Sequence, residues 1–245
     1  VTSDGNTDTA SVFQPTNSGG RVLTVIKTNE SGHCTDFEFD VPTGTVLEPA
    51  IDGYYLVNGE EVILHLNSPW AIDSKGKNLV SSYTWDSGVL TQCVTESTAN
   101  ISYPILADPG WDYTYNFNLN KIAETNKVHL HSCFNCYFPV TGAPQIFPAP
   151  TERLPLWAII GSVAMNMECR FNAEFNGTSY YGFSFLATDN HVDGLGSWIL
   201  FEFKTISGVK KLVVSAHVVN DWINNFAYRS GAQSMWQQFA TNLNS

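Results

Sequence analysis

The side chains best suited to metal or redox chemistry cluster between residues 126 and 140, in the stretch NKVHLHSCFNCYFPV. His129, His131, Cys133 and Cys136 lie within eight residues of one another. Imidazole and thiolate groups are the usual ligands of tetrahedral zinc, so these four residues are the candidate metal ligands of the chain. A Cys133–Cys136 disulfide is a second interpretation of the same residues. Buried thiols with ordinary histidines are the preferred third, because free cysteine is among the most buried residue types.

The sequence around these four residues predicts a β-strand at the centre of a sheet. Side chains alternate along a strand, which would place His129, His131 and Cys133 on one face. Each strand residue advances about 3.3 Å, so His129 and Cys133 would lie too far apart for one ion unless the strand bends. Strand geometry therefore weighs against zinc, and no metal site is predicted.

A second group of polar residues, Asp189-Asn-His-Val-Asp-Gly194, places His191 between two carboxylates. An aspartate could orient this histidine and raise its basicity, as in a general-base pair. No Gly-x-Ser-x-Gly sequence supplies a nucleophile in a known frame, however, and Asp, Asn and Gly are the residues that a turn requires. The segment is interpreted as a turn. We predict no catalytic residue, no cofactor-binding residue and no cofactor, and we expect a protein that is not an enzyme.

The charge and hydropathy of the chain exclude two classes of partner. Twelve Lys and Arg residues stand against 23 Asp and Glu residues, for a formal net charge of −11. A protein that grips nucleic acid by its phosphates needs the opposite sign, so no direct nucleic acid binding is expected. No apolar run reaches 18 residues, so no membrane span is predicted. Five cysteines leave at least one thiol unpaired in a monomer.

Turn signals between apolar runs predict the elements that must position these groups. Asn58-Gly59 predicts a hairpin with a type I′ turn, in which both central residues have positive φ. Asn176-Gly177 repeats the signal, and a further hairpin is predicted across Ser207-Gly208. Residues 154–171 form the most apolar run, which predicts one strand buried on both faces or two strands that bend near Gly161-Ser162.

About eleven mostly antiparallel strands are predicted in total. The fold class is therefore all-β, an antiparallel two-sheet sandwich that is jelly-roll-like. We predict a polar, extended N-terminal arm at residues 1–20, a β-sandwich domain at 21–220 and a C-terminal amphipathic helix at 221–245. The large apolar residues of this last segment recur near helical spacing, at Trp222, Phe226, Trp236, Phe239 and Leu243.

The arms at both ends, the aromatic strand face of Tyr113, Tyr115 and Phe117, the few charges and the start at Val1 rather than Met form a pattern. The chain resembles jelly-roll capsid or spike proteins of non-enveloped RNA viruses, which are often cut from polyproteins. The resemblance implies a structural protein of the virion that self-assembles into homo- or hetero-oligomers and meets a host glycan or receptor. In such proteins a basic arm commonly contacts the genome, whereas residues 1–20 contain no Lys or Arg.

The alternative function is that of a secreted, extracellular β-sandwich that binds or cleaves glycans. Exposed aromatic rings are the usual platforms for sugars, and glycosylation acceptors are typical of secreted chains. The aromatic residues considered for this role are Tyr54, Tyr55, Trp70 and Trp111. The acceptor sequences begin at Asn29, Asn100 and Asn176.

Overall fold

A computed structural model describes the fold, which is mostly antiparallel β-sheet with one long C-terminal helix, as the predicted all-β sandwich requires. The described residues are 9–95, 101–160, 163–220 and 226–245. The chain divides into two compact units, unit 1 (Val1–Asp112) and unit 2 (Tyr113–Ser245). The domain boundaries predicted after residues 20 and 220 do not coincide with this division.

Unit 1 consists of antiparallel strands. The strands are β1 (Thr9–Pro15), β2 (Gly19–Ile26), β3 (Cys34–Glu38), β4 (Val46–Pro49), β5 (Tyr54–Asn58), β6 (Glu61–Leu66), β7 (Trp70–Ile72), β8 (Asn78–Leu79), β9 (Ser81–Asp86), β10 (Val89–Val94), β11 (Ile105–Asp108) and the first residues of β12 (Gly110–Asn118). One group of strands has the order β1-β2-β11-β7-β8, a second group pairs β4, β5 and β6, and a third has the order β3-β10-β9.

Part of the predicted N-terminal arm is a strand. Strand β1 pairs with β2 in a register that runs from Thr9 opposite Ile26 to Pro15 opposite Gly20. Polar side chains do not prevent this pairing, because the backbone N–H and C=O groups of β2 gain partners whatever the side chains of β1 are. Residues 1–8 of the predicted arm lie outside the described residues.

Unit 2 combines one antiparallel sheet with helices. The elements of unit 2 are the later residues of β12, α1 (Ala123–Ser132), α2 (Phe134–Tyr137), β13 (Arg153–Leu154), β14 (Trp157–Ile160), β15 (Val163–Asn166), β16 (Cys169–Asn176), β17 (Tyr181–Ala187), β18 (Trp198–Ile206), β19 (Val209–His217) and α3 (Phe226–Asn244). The sheet has the strand order β13-β16-β17-β18-β19-β12, and β14 and β15 pair separately as a hairpin.

Helix α3 confirms the predicted C-terminal helix within the described residues. Helical spacing places Trp236, Phe239 and Leu243 on one face, and all three are buried in the main core of unit 2. The ring of Phe201 in β18 lies 4.9 Å from that of Trp236 and 5.6 Å from that of Phe239, centroid to centroid. The apolar stripe therefore packs on the sheet of its own unit. Residues 221–225 of the predicted helix lie outside the described part.

The predicted hairpins are confirmed, and the turn predicted at Ser207-Gly208 is found there, but the turn type predicted at Asn58-Gly59 is not. Strands β5 and β6 are joined by Gly59 and Glu60, of which only Gly59 has a positive φ, at 57°. The type I′ turn predicted at Asn58-Gly59 is therefore wrong, because Asn58 pairs with Glu61 in β6 and is not a central residue of the turn. Two consecutive positive φ angles occur instead at Ser207 and Gly208, 48° and 83°, between β18 and β19.

The strand predicted through residues 126–140 is wrong, because the segment forms α1 and α2. Asn126, Leu130, Phe134 and Phe138 recur every four residues, and each is at most 3% exposed. This spacing aligns side chains on one face of a helix, whereas a strand would have buried alternate residues. Burial of that helical face decides the local structure.

The apolar run at 154–171 contains two paired strands rather than one strand buried on both faces. Residues 157–160 pair with 163–166 as the hairpin of β14 and β15. Trp157 and Ile159 are 42% and 63% exposed. The alternative of two strands is therefore the correct one, while Gly161 and Ser162 lie outside the described residues.

Candidate functional site

Unit 2 contains a cavity whose walls are largely apolar. Strands, a loop and α3 contribute to it, including the side chains of Phe138, Leu156, Phe185, Phe201 and Trp236. Its volume is about 70 Å³, counted as the space that the centre of a water molecule can reach. The space between the lining side chains, with the part open to solvent, is about 720 Å³.

Small side chains explain why this part of unit 2 is not filled. Ala187 in β17, Ala216 in β19 and Ala232 in α3 all line the cavity. Protein interiors are ordinarily close-packed, with few voids larger than a water molecule. Three methyl groups from three different elements leave space where larger side chains would close it.

The polar side of the cavity is formed by the loop between β17 and β18. Backbone hydrogen bonds shape this loop: the N–H of His191 donates to Thr188 O at 3.1 Å, and that of Gly194 to His191 O at 3.0 Å. Gly194 has a φ of 87°, and a Cβ atom there would lie 2.6 Å from Asn220 Oδ1. The predicted turn is therefore confirmed, and it also places His191 on the cavity wall.

The hydrogen bonds of His191 define its tautomer. The backbone N–H of Asp193 donates to His191 Nδ1 at 3.0 Å, so Nδ1 is an acceptor and the proton of the neutral ring is on Nε2. Burial lowers the pKa of His191 and outweighs the opposing effect of the Asp193 carboxylate. A neutral imidazole with an Nε2–H donor thus borders the cavity.

The general-base pair considered for this loop is not formed. Such a pair requires an aspartate to accept a proton from one ring nitrogen of the histidine. Asp193 Oδ2 lies 3.8 Å from His191 Nδ1, a nitrogen that already accepts a hydrogen bond. Asp189 instead lies 3.3 Å from Arg153 Nη2 and is mostly exposed.

Asp193 is a buried carboxylate that accepts a hydrogen bond from α3. The hydroxyl group of Tyr228 in α3 donates to Asp193 Oδ1. The Asp193 side chain is 13% exposed and lines the cavity. Burial raises the pKa of Asp193, and the hydrogen bond from Tyr228 opposes that rise. Burial also raises the pKa of Tyr228, which keeps its phenol protonated as the donor.

The one unpaired thiol of the described residues also borders the cavity. Cys169 is buried, and burial raises the pKa of its thiol to about 12, with Glu168 contributing in the same direction. A thiol with such a pKa stays protonated at neutral pH and is a poor nucleophile. Cys169 therefore acts as an apolar part of the wall.

In the structure, the four candidate metal ligands contact different partners. Cys133 and Cys136 form a disulfide, so the preferred interpretation of two buried thiols is wrong. His131 Nε2 lies 2.8 Å from Glu174 Oε1. The ring of His129 instead stacks on an aromatic ring, 5.1 Å between centroids. The described part of the chain contains no group of three or more side chains that could hold a metal ion.

The aromatic residues considered for glycan binding lie in unit 1, and most of them are turned inward. Tyr55 is fully buried. Tyr54 and Trp111 pack against the apolar cluster around Leu66, while Trp70 is 37% exposed. They do not form an exposed row of aromatic rings.

Sequence reasoning found two of the three polar groups of the site and missed the third. His191 and Asp193 were recognisable as a histidine next to carboxylates in one loop. Tyr228 lies 35 residues further along the chain than Asp193. Its place in an amphipathic helix gives no signal of a carboxylate partner.

No described helix is both long enough and apolar enough to cross a membrane. No protein-family model and no curated protein matches the chain.

Three solved structures illustrate what the chain is similar to. Protein MLL2253 from Mesorhizobium loti is 14% identical with a TM-score of 0.37, and the match covers 54% of this chain and 93% of that chain. Protein Ms6760 from Mycobacterium smegmatis is 9% identical with a TM-score of 0.35, covering 54% and 87%. The ARO/CYC di-domain BexL from the BE-7585A biosynthetic pathway is 6% identical with a TM-score of 0.36, covering 96% and 86%. At TM-scores of this size, the likeness defines neither the fold nor the function of this chain.

Proposed function

We propose that unit 2 binds a small, mostly apolar molecule in the cavity bordered by α3. The observation that carries the proposal is the combination of apolar walls with a few polar groups on one side. Ligand sites in proteins are built in this way: the apolar surface supplies affinity, and the polar groups fix the orientation. His191, Asp193 and Tyr228 are those polar groups here.

The energetics of packing support an occupied cavity. An apolar guest restores dispersion contacts that the lining atoms otherwise lack. The walls include Phe185, Phe201 and Trp236, whose flat rings offer large contact areas to a planar or aliphatic guest.

The test uses 2-phenylethanol, a neutral molecule with one ring and one polar end, titrated into the full chain and followed by calorimetry. Ala232→Leu fills part of the cavity from α3 and should weaken binding at least tenfold. Ser234→Leu is the matched control, because it adds a leucine to an exposed position of the same helix and should leave affinity within twofold. Equal affinity in both variants would contradict the proposal.

Self-assembly as a capsid or spike subunit and glycan binding by a secreted protein stay predictions from the sequence. Size-exclusion chromatography with light scattering tests the first, and a glycan array tests the second. Large closed particles or obligate oligomers would favour the structural role. A strict monomer that binds oligosaccharides would favour the glycan-binding one.

A further inference from the structure

We infer that the molecule bound in this cavity carries a basic amine, whose ammonium group pairs with the Asp193 carboxylate while its apolar part contacts the aromatic walls. The inference rests on the ligand-binding function proposed above and names the chemical class of the ligand.

The charges around the cavity favour a cation. Among the described residues that line the cavity there is no lysine or arginine, and Asp193 is the one aspartate or glutamate. Burying a carboxylate away from water is costly unless a positive group or hydrogen-bond donors compensate it. His191 does not supply that charge, because its Nδ1 accepts a hydrogen bond and burial favours the neutral ring.

The hydrogen bonds of Asp193 leave one carboxylate oxygen available to a ligand. Oδ1 accepts from the Tyr228 hydroxyl, and Ser197 Oγ donates to the backbone carbonyl of Asp193 at 2.8 Å rather than to its side chain. Oδ2 accepts no hydrogen bond from any described residue, since His191 Nδ1, at 3.8 Å, is itself an acceptor. An ammonium group can donate a hydrogen bond to this oxygen and place a positive charge beside the carboxylate.

The charge and the hydrogen bonds of Asp193 also disfavour ligands whose polar group is a carboxylate or an alcohol. A ligand carboxylate would meet the negative charge of Asp193 in a poorly solvated site, where like charges repel strongly. A neutral alcohol satisfies the hydrogen bond to Oδ2 but leaves the charge uncompensated. The expected order of affinity is therefore amine, then alcohol, then acid.

Three ligands with the same ring and a similar chain test this order: 2-phenylethylamine, 2-phenylethanol and phenylacetate, each titrated by calorimetry into the full chain at pH 7. The amine should bind at least tenfold more tightly than the alcohol, and phenylacetate should bind most weakly. Asp193→Asn should weaken amine binding at least tenfold and leave alcohol binding within threefold. Asp189→Asn, an exposed carboxylate of the same loop, should leave all three affinities unchanged.

The outcomes separate the inference from the function on which it rests. If none of the three ligands binds, the proposed binding function fails. If the alcohol binds but the amine binds no more tightly, or if the amine preference survives Asp193→Asn, the amine inference alone is overturned. Should Asp193→Asn not fold, Tyr228→Phe provides a second readout, because it frees Oδ1 and keeps the carboxylate. The preference for the amine should then persist or increase, and its loss would overturn the inference.

Discussion

The two units bury their apolar side chains in different ways. The main cluster of buried residues in the described part of unit 2 is large, and rings from the sheet, the segment after β12 and α3 all meet in it, with Phe138, Phe183 and Phe201 among its members. Unit 1 distributes its buried apolar residues over separate smaller clusters, one that includes Leu66 and another that includes Ile105.

The disulfides of the two units also differ, in the length of chain that each one closes. The disulfide of unit 1 joins Cys34 in β3 to Cys93 in β10 across a sequence separation of 59 residues. The disulfide of unit 2 joins Cys133 to Cys136, three residues apart. A cross-link removes more entropy from the unfolded chain when it closes a longer loop. We therefore expect unit 1 to depend more on its disulfide and unit 2 more on its aromatic packing.

The largest expected effect is that of Phe201→Ala in unit 2. Phe201 is fully buried, and its ring lies 5.0 Å from that of Phe183 and 4.9 Å from that of Trp236. Its truncation should lower the free energy of unfolding by about 3–5 kcal/mol. Denaturant titration measures the loss, and hydrogen exchange should localise it to peptides of unit 2. Phe201→Leu, which keeps more of the volume, should cost less; a loss below 1 kcal/mol for the alanine variant would contradict the role of this core.

Removing the unit 1 disulfide should have nearly as large an effect. In the chain-entropy estimate, a loop of this length corresponds to about 4 kcal/mol. The double change Cys34→Ala with Cys93→Ala should therefore increase hydrogen exchange throughout β3, β9 and β10. Unchanged protection of these strands would show that unit 1 does not depend on its covalent link.

The buried carboxyl group of Asp108 in unit 1 should make the free energy of unfolding depend on pH, by up to about 3 kcal/mol. Burial raises the pKa of Asp108 from 3.8 to about 6, against the opposing effects of Arg21 and a hydrogen bond from Trp70. The native state then holds the proton more tightly than the unfolded chain, so stability should fall as pH rises from about 4 to about 6 and level off above.

The check on this pH dependence compares urea unfolding of the parent chain and Asp108→Asn at pH 4 and pH 7. The variant should be more stable relative to the parent at pH 7 than at pH 4. Asp86→Asn, an exposed carboxylate of β9, serves as the control and should show no such difference. A difference in stability between variant and parent that is the same at both pH values would rule out the effect.

The smallest effect is expected for the Cys133–Cys136 disulfide. The loop that it closes is so short that the same estimate yields about 2 kcal/mol or less. Changing both cysteines to alanine should alter hydrogen exchange only around α1 and α2. A loss as large as that in unit 1 would break the comparison, because it would mean that the aromatic core of unit 2 also requires its covalent link.

Local patterns were sufficient for much of the fold. Alternating side chains and turn residues predicted the hairpins, including the one across Ser207-Gly208, because these signals depend on neighbouring residues only. The four-residue spacing of Leu130, Phe134 and Phe138 was also readable, yet the segment was interpreted as a strand. The segment is helical because Leu130, Phe134 and Phe138 are buried together in the core of unit 2.

By itself, the sequence determined the all-β class, the C-terminal helix and the loop that carries His191 and Asp193, because periodicity and turn chemistry act over short distances. Only the tertiary structure decided the cavity, the two disulfide pairings and the hydrogen bond from Tyr228 to Asp193. These features join residues distant in the chain or depend on which faces pack together. The burial of Asp193 and the hydrogen bonds of its carboxylate depend on partners from other elements, and no local pattern specifies either.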